Sequence, residues 1–254
     1  MGTEARYPRA YAPNLRLLGK GEITMRGLIS CCVGVVIAAF GAMPASASDD
    51  AIAKCQSTDP AVAIPGCTAV IGSSDVPPHL RAAAYAQRGM RTRDTDRQAA
   101  VRDFTAAIAL YEKLEPRNPT AKLHLSQDTS HFYALRGREY YALYDYKRAR
   151  ADLDRAIALD KEAALPRLVR GLMYATLRDS KSALSDLDAA IKLDPSNAEA
   201  YSYRGRLQAE LGNVGQGYAD LSEAVRLAPK NPEYRSYLGE VQHQMTLNVF
   251  YGQR

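Results

Sequence analysis

The sequence predicts an all-α repeat fold, in which one supersecondary unit is copied along the chain and each copy buries a face on its neighbour. Three observations carry this. Gly137, Gly171, Gly205 and Gly239 fall at intervals of 34 residues. The dipeptides Arg136-Gly137, Arg170-Gly171 and Arg204-Gly205, with Arg88-Gly89 upstream, are matched by Asp152-Leu153, Asp186-Leu187 and Asp220-Leu221 in the same register. Within a copy, apolar residues recur at helical spacing, as in Leu165, Leu168 and Leu172,.

The chain opens on an address label. Arg26 precedes an apolar run from Leu28 to Phe40, and Ala45-Ser46-Ala47 closes the stretch. A charged region, an apolar core and an Ala-x-Ala site make residues 25–47 a signal peptide cleaved after Ala47. An uncleaved anchor is the competing assignment, but the stretch is marginal in length and its later part is small and polar. Leu28-Ile29-Ser30-Cys31 resembles a lipoprotein box only superficially, because the apolar run follows it. Residues 1–24 are polar and proline-bearing, so Met25 is the expected start. Lys20-Gly21-Glu22 can be encoded by a purine-rich ribosome-binding sequence just upstream of it. The expected compartment is the bacterial periplasm or the extracellular space, with no stable membrane insertion after cleavage.

Removing the leader changes the charge balance. The chain carries 33 Lys+Arg against 28 Asp+Glu. The leader and its extension hold Arg6, Arg9, Arg16, Lys20 and Arg26 against Glu4 and Glu22, so the remainder is close to neutral. Nothing in it suggests a nucleic-acid partner, whose binders show basic domains or stripes. Cys31 and Cys32 leave with the leader, which keeps Cys55 and Cys67. An even pair in an exported chain indicates a disulfide; free buried thiols are the alternative. The spacing fits neither Cys-x-x-Cys nor a common zinc pattern. Asp59-Pro60 has the form of a cap and first helical turn, which makes residues 48–81 an N-terminal helical hairpin. In an ideal hairpin the two cysteines would differ in height by roughly 7 Å, and Pro65-Gly66 is expected to relieve this by breaking the second helix.

The 34-residue unit resembles the tetratricopeptide repeat. Gly137, Tyr140, Ala149, Leu153 and Ala156 fit its pattern, as do Gly171, Tyr174, Ala183, Leu187, Ala190 and Pro195. Further copies run Gly205, Gly217, Leu221, Ala224, Pro229 and, upstream, Gly89, Ala100, Phe104, Ala107. The resemblance implies a right-handed α-solenoid of antiparallel helix pairs, with four units over 82–229. Gly and Ala stand where two helices approach closely, and Leu or Phe fills the space beside them. Exported bacterial proteins of this kind often carry a similar Cys pair ahead of the first repeat, and Cys55 and Cys67 resemble it.

The departures from the pattern are local. Arg replaces the family's usual Leu before the helix A glycine of all four units, and Tyr85, Tyr133, Arg167 and Tyr201 replace its usual Trp. Between the first two units 14 extra residues lie within 111–130. Pro116 and Pro119 are expected to interrupt helix B of the first unit, with Thr120 capping a lengthened helix A. Each repeated Arg is expected to reach an Asp of its own or an adjacent unit, an architectural ion pair rather than a ligand contact. Residues 230–254 form a capping helix with Tyr237, Leu238, Val241 and Met245 on its apolar side and a tail, Val249-Phe250-Tyr251, that could fold back.

Catalytic, metal and cofactor motifs are absent from the sequence: His79, His124, His131 and His243 are scattered, and no phosphate loop or nucleophile elbow occurs,. The chain is therefore expected to be no enzyme and to hold no cofactor. The resemblance places a partner groove on one side of the A helices. By register it offers Arg138 and Tyr141, then Leu165, Leu168 and Leu172, then Arg206, with an extended peptide or a partner helix as occupant. Packing of those leucines in a core is the alternative. The asparagines and lysines of the family's chaperone-tail clamp are not at these positions. The expected function is a non-catalytic protein-binding scaffold; a secreted factor with an extracellular or host target, or a cell-wall carbohydrate-binding accessory, is the alternative.

Overall fold

The computed structural model describes residues 47–116 and 118–251. The chain divides into two compact units, Met1–Glu115 and Pro116–Arg254, and the division falls inside the 111–130 insert. The described residues form helices α1 to α11 and no strand. The extension and nearly all of the leader lie outside the described residues.

The first unit holds α1 (Ala47–Cys55), α2 (Pro60–Gly72), α3 (Pro78–Thr92) and α4 (Arg97–Tyr111). Asp59 caps α2 by accepting from the Ala61 amide at 2.9 Å, and Pro60 takes the first helical position. The expected break at Pro65-Gly66 does not occur: α2 runs through both. Close backbone contact does the work assigned to the break. A Cβ on Gly66 would lie 2.6 Å from the Cys55 nitrogen, so only a glycine lets α1 touch α2 there. The Cys55 and Cys67 α-carbons are consequently 4.4 Å apart and their sulfurs stand at disulfide distance. Ala51, Val70, Val76 and Ala84 pack around them.

The second unit holds α5 (Pro119–Ala142), α6 (Tyr146–Leu159), α7 (Ala164–Thr176), α8 (Ser180–Leu193), α9 (Ala198–Glu210), α10 (Val214–Leu227) and α11 (Pro232–Tyr251). The long α5 absorbs most of the insert. Its cap is Asn118, which accepts from the Ala121 amide at 2.8 Å, rather than Thr120. Asn118 precedes Pro119, and proline is suited to the first helical position because that amide needs no partner.

Each pair closes in the same way. A Cβ on Gly171 would lie 3.0 Å from Leu187 Cγ and 3.3 Å from the Ala183 carbonyl, and Gly137 meets Leu153 likewise. Gly205 and Gly217 bring α9 and α10 closer still: a Cβ on either would lie within 3 Å of the other's carbonyl. Leu153, Leu187 and Leu221 are fully buried beside them.

The arginine before each glycine is an architectural tie. Arg136 grips Asp152, Arg170 grips Asp186 and Arg204 grips Asp220, each through two hydrogen bonds of 2.7–2.8 Å. Arg88 grips Asp103 in the first unit in the same way. Arg170 and Arg204 also reach back one pair, to Asp154 and Asp188 at 2.6 Å. A planar guanidinium with five donors can hold both carboxylates, which an ammonium could not do with the same geometry. These hydrogen bonds raise the pKa of Arg170 and Arg204.

Helix α11 packs Tyr234 and Val241 inward, while Met245, expected on its apolar side, is exposed. The backbone stays helical through Tyr251, so the tail continues α11 rather than folding back. A Cβ on Gly239 would meet nothing within 4 Å. No helix among the described residues is long and apolar enough to cross a membrane.

Candidate functional site

The side of α5, α7 and α9 not engaged by the glycine contacts is where the sequence places a partner groove. The structure redistributes its members. Leu168 and Leu172 are both 2% exposed and belong to the core. The stripe expected at the surface is therefore a packing stripe, since neighbouring A helices close over it. Arg138 and Tyr141 are also buried, at 6% and 3%. Leu165 and Arg206 remain partly accessible.

Tyr141 explains part of this closure. Thr176 donates to the Leu172 carbonyl at 3.0 Å, so the Tyr141 hydroxyl, 2.9 Å from Thr176 Oγ1, donates to it. The bond ties the end of α5 to the end of α7. Burial pushes the Tyr141 phenol up to about 12. Burial also holds the His131 imidazole neutral, down to about 4, although part of the residue reaches solvent.

The accessible portion centres on α9 and α11. The Arg206 guanidinium lies over the Tyr237 ring, 4.1 Å from its centroid. Burial raises the pKa of Tyr203, with Glu199, Tyr141 and Tyr234 as charged or polar neighbours. Tyr234 is 7% exposed and its phenol is likewise raised by burial. Sequence reasoning misses Tyr203 and Tyr237 as members of this surface. One signal is available: Tyr203 and Tyr237 are 34 apart, in the register where Leu135 and Val169 stand in the preceding copies. Among the described residues no cluster of His, Cys, Asp and Glu could hold a metal ion.

This geometry can be set beside known proteins. Residues 135–198 and 168–232 match the tetratricopeptide repeat family model. The match lies within the second unit and spans 135–232. No curated protein matches the chain. Among solved structures, TTC0263 of Thermus thermophilus, a thermophilic TPR protein, is 18% identical with a TM-score of 0.53, covering 72% of this chain and 90% of its own. MamA is 18% identical with a TM-score of 0.50, covering 72% and 95%. The second TPR domain of human RPAP3, in complex with an HSP70 peptide, is 26% identical over 47% and 98%, with a TM-score of 0.42. The likeness to TTC0263 and MamA concerns the fold: helix pairs of the tetratricopeptide type without strands.

Proposed function

We propose that this chain is a non-catalytic protein-binding scaffold, exported across the bacterial inner membrane, and that a peptide or partner helix docks on α7, α9 and α11 of the second unit. The observation that carries the docking site is the partly accessible Arg206–Tyr237 stack on α9 and α11, with Leu165 partly accessible on α7. An aromatic ring held by a cation suits a partner that presents an apolar residue together with a backbone carbonyl or carboxylate. Tetratricopeptide repeats bury one face of each helix pair on the next and leave a continuous surface for binding. Export rests on the leader pattern of residues 25–47 and on the sulfurs of Cys55 and Cys67 at disulfide distance,.

Affinity capture from envelope extract with the chain from Ser48 onward, read by mass spectrometry, tests the docking site. Arg206→Glu and Leu165→Ser should each remove the specific partners while circular dichroism stays unchanged. A folded double variant that still captures every partner refutes this docking site. Cell fractionation of the untagged precursor tests export separately.

A further inference from the structure

The first unit carries a recess that the scaffold role does not use. Residues of α2, α3 and α4 line an open cavity of about 250 Å³. Its lining is largely apolar, with Ile71, Ala106, Ala109 and Leu110 beside Tyr85, and these side chains serve as its floor. Two cations line it as well: Arg81 in the first turns of α3 and Lys113 just past α4.

Those two cations are uncommitted among the described residues. Arg88 of the same helix is engaged by Asp103 and Thr68, and Arg91 by Gln87 and the Ser57 carbonyl. Arg81 Nε, in contrast, is buried and has no hydrogen-bond partner. Lys113 is exposed and forms no ion pair among the described residues. Arg81 lines the recess, so an anion seated there meets its charge with no competing carboxylate among the described residues,. The ring of Tyr85 is held in place by Arg88, whose guanidinium lies 5.5 Å from its centroid.

We infer that this recess binds an amphiphilic anion, a carboxylate on a short alkyl body. The guanidinium of Arg81 is shaped to hold a carboxylate, with Lys113 adding a point charge at the rim. A bare anion would leave the floor of Ile71, Ala106 and Leu110 wet. A neutral alkane would gain nothing from the charges of Arg81 and Lys113. Each methylene covered by the floor should tighten binding about fourfold, and the charged hydrogen bonds should contribute tenfold or more, roughly, over an uncharged headgroup. The site lies wholly within the first unit, so it stands or falls independently of the docking face on α7, α9 and α11.

Octanoate is the probe, titrated into the full mature chain and followed by backbone amide shifts in two-dimensional NMR. Saturable shifts are expected at Ile71, Tyr85 and Leu110, at least about tenfold tighter than with octan-1-ol. The double variant Arg81→Gln, Lys113→Gln should lose that tenfold. Neither side chain has a partner among the described residues, so its circular dichroism and melting curve should match the parent. Equal binding of octan-1-ol, the same shifts from inorganic phosphate alone, or octanoate binding unchanged in the variant would each overturn the assignment. So would the absence of shifts in the parent chain, a comparison that does not depend on the variant folding.

Discussion

At Gly171 a single hydrogen atom decides how two helices meet. A Cβ there would press on Leu187 at 3.0 Å and on the Ala183 carbonyl, so Gly171→Leu must displace α8. Overpacking costs about 1–3 kcal/mol, partly offset by removing a mid-helix glycine, and a lowered melting temperature is the expected outcome. His131 predicts a pH dependence. Its folded pKa is depressed to about 4 by burial, whereas the unfolded side chain titrates near 6.5. Stability is therefore full above about pH 6.5, where both states are neutral, and falls between there and pH 4, where only the unfolded chain gains the proton. Because the residue keeps some solvent contact, the loss is on the order of 1–3 kcal/mol. Urea melts of the parent and His131→Gln across that window check it; identical slopes would show that His131 contributes nothing.

Within a helix pair, the ion-pair ladder and the turn do separate jobs. Arg170 connects Asp154, on the preceding pair, to Asp186 on its own. Arg170→Met would leave Asp186, 7% exposed, without its guanidinium. Breaking a buried pair on one side costs about 3–5 kcal/mol; partial exposure of the arginine places the expected loss at the lower end, measurable as a shift in the denaturation midpoint without a change in fold. Arg170→Lys should recover only part of it, because an ammonium cannot reproduce the fork. The turn that follows α7 has Arg178 at φ 64, and that after α5 has Tyr144 at φ 61; the corresponding residue after α9 is Gly212 at φ 87. This left-handed position closes the helix end and favours glycine. Arg178→Gly should therefore stabilise the chain by about 1 kcal/mol, since the exposed contact to Glu210 at 3.7 Å contributes little,. A melting temperature that stays level or drops would count against strain at this turn.

For the molecule as a whole, export and oxidation form one testable package. Protein recovered from its native host should begin at Ser48 and have the intact mass of a chain lacking two hydrogens at Cys55 and Cys67. A retained leader would defeat the export proposal, and two free thiols would defeat the bridge. The buried leucines set a further expectation: Leu168→Ser with Leu172→Ser should unfold the second unit, because each large-to-small change in a core costs about 2–5 kcal/mol. A folded double variant would return both residues to the surface.

The sequence by itself determined the period, the close contacts inside each helix pair and the cap of α2. Those features depend on contacts of fixed sequence separation: Arg170 to Asp186, Gly171 to Leu187, Asp59 to Ala61. A repeat copies such contacts, so register alone exposes them. Only the tertiary structure decided which side of each A helix stays open. Leu165, Leu168 and Leu172 share one helical stripe in the sequence, yet Leu165 is partly exposed while the other two are buried. Helical spacing reports that residues face the same way, not what covers them; that depends on how neighbouring A helices lie against each other. The approach of α1 to α2 at Gly66 and the uncommitted Arg81 are of the same kind, because each is set by a neighbour that no local pattern names.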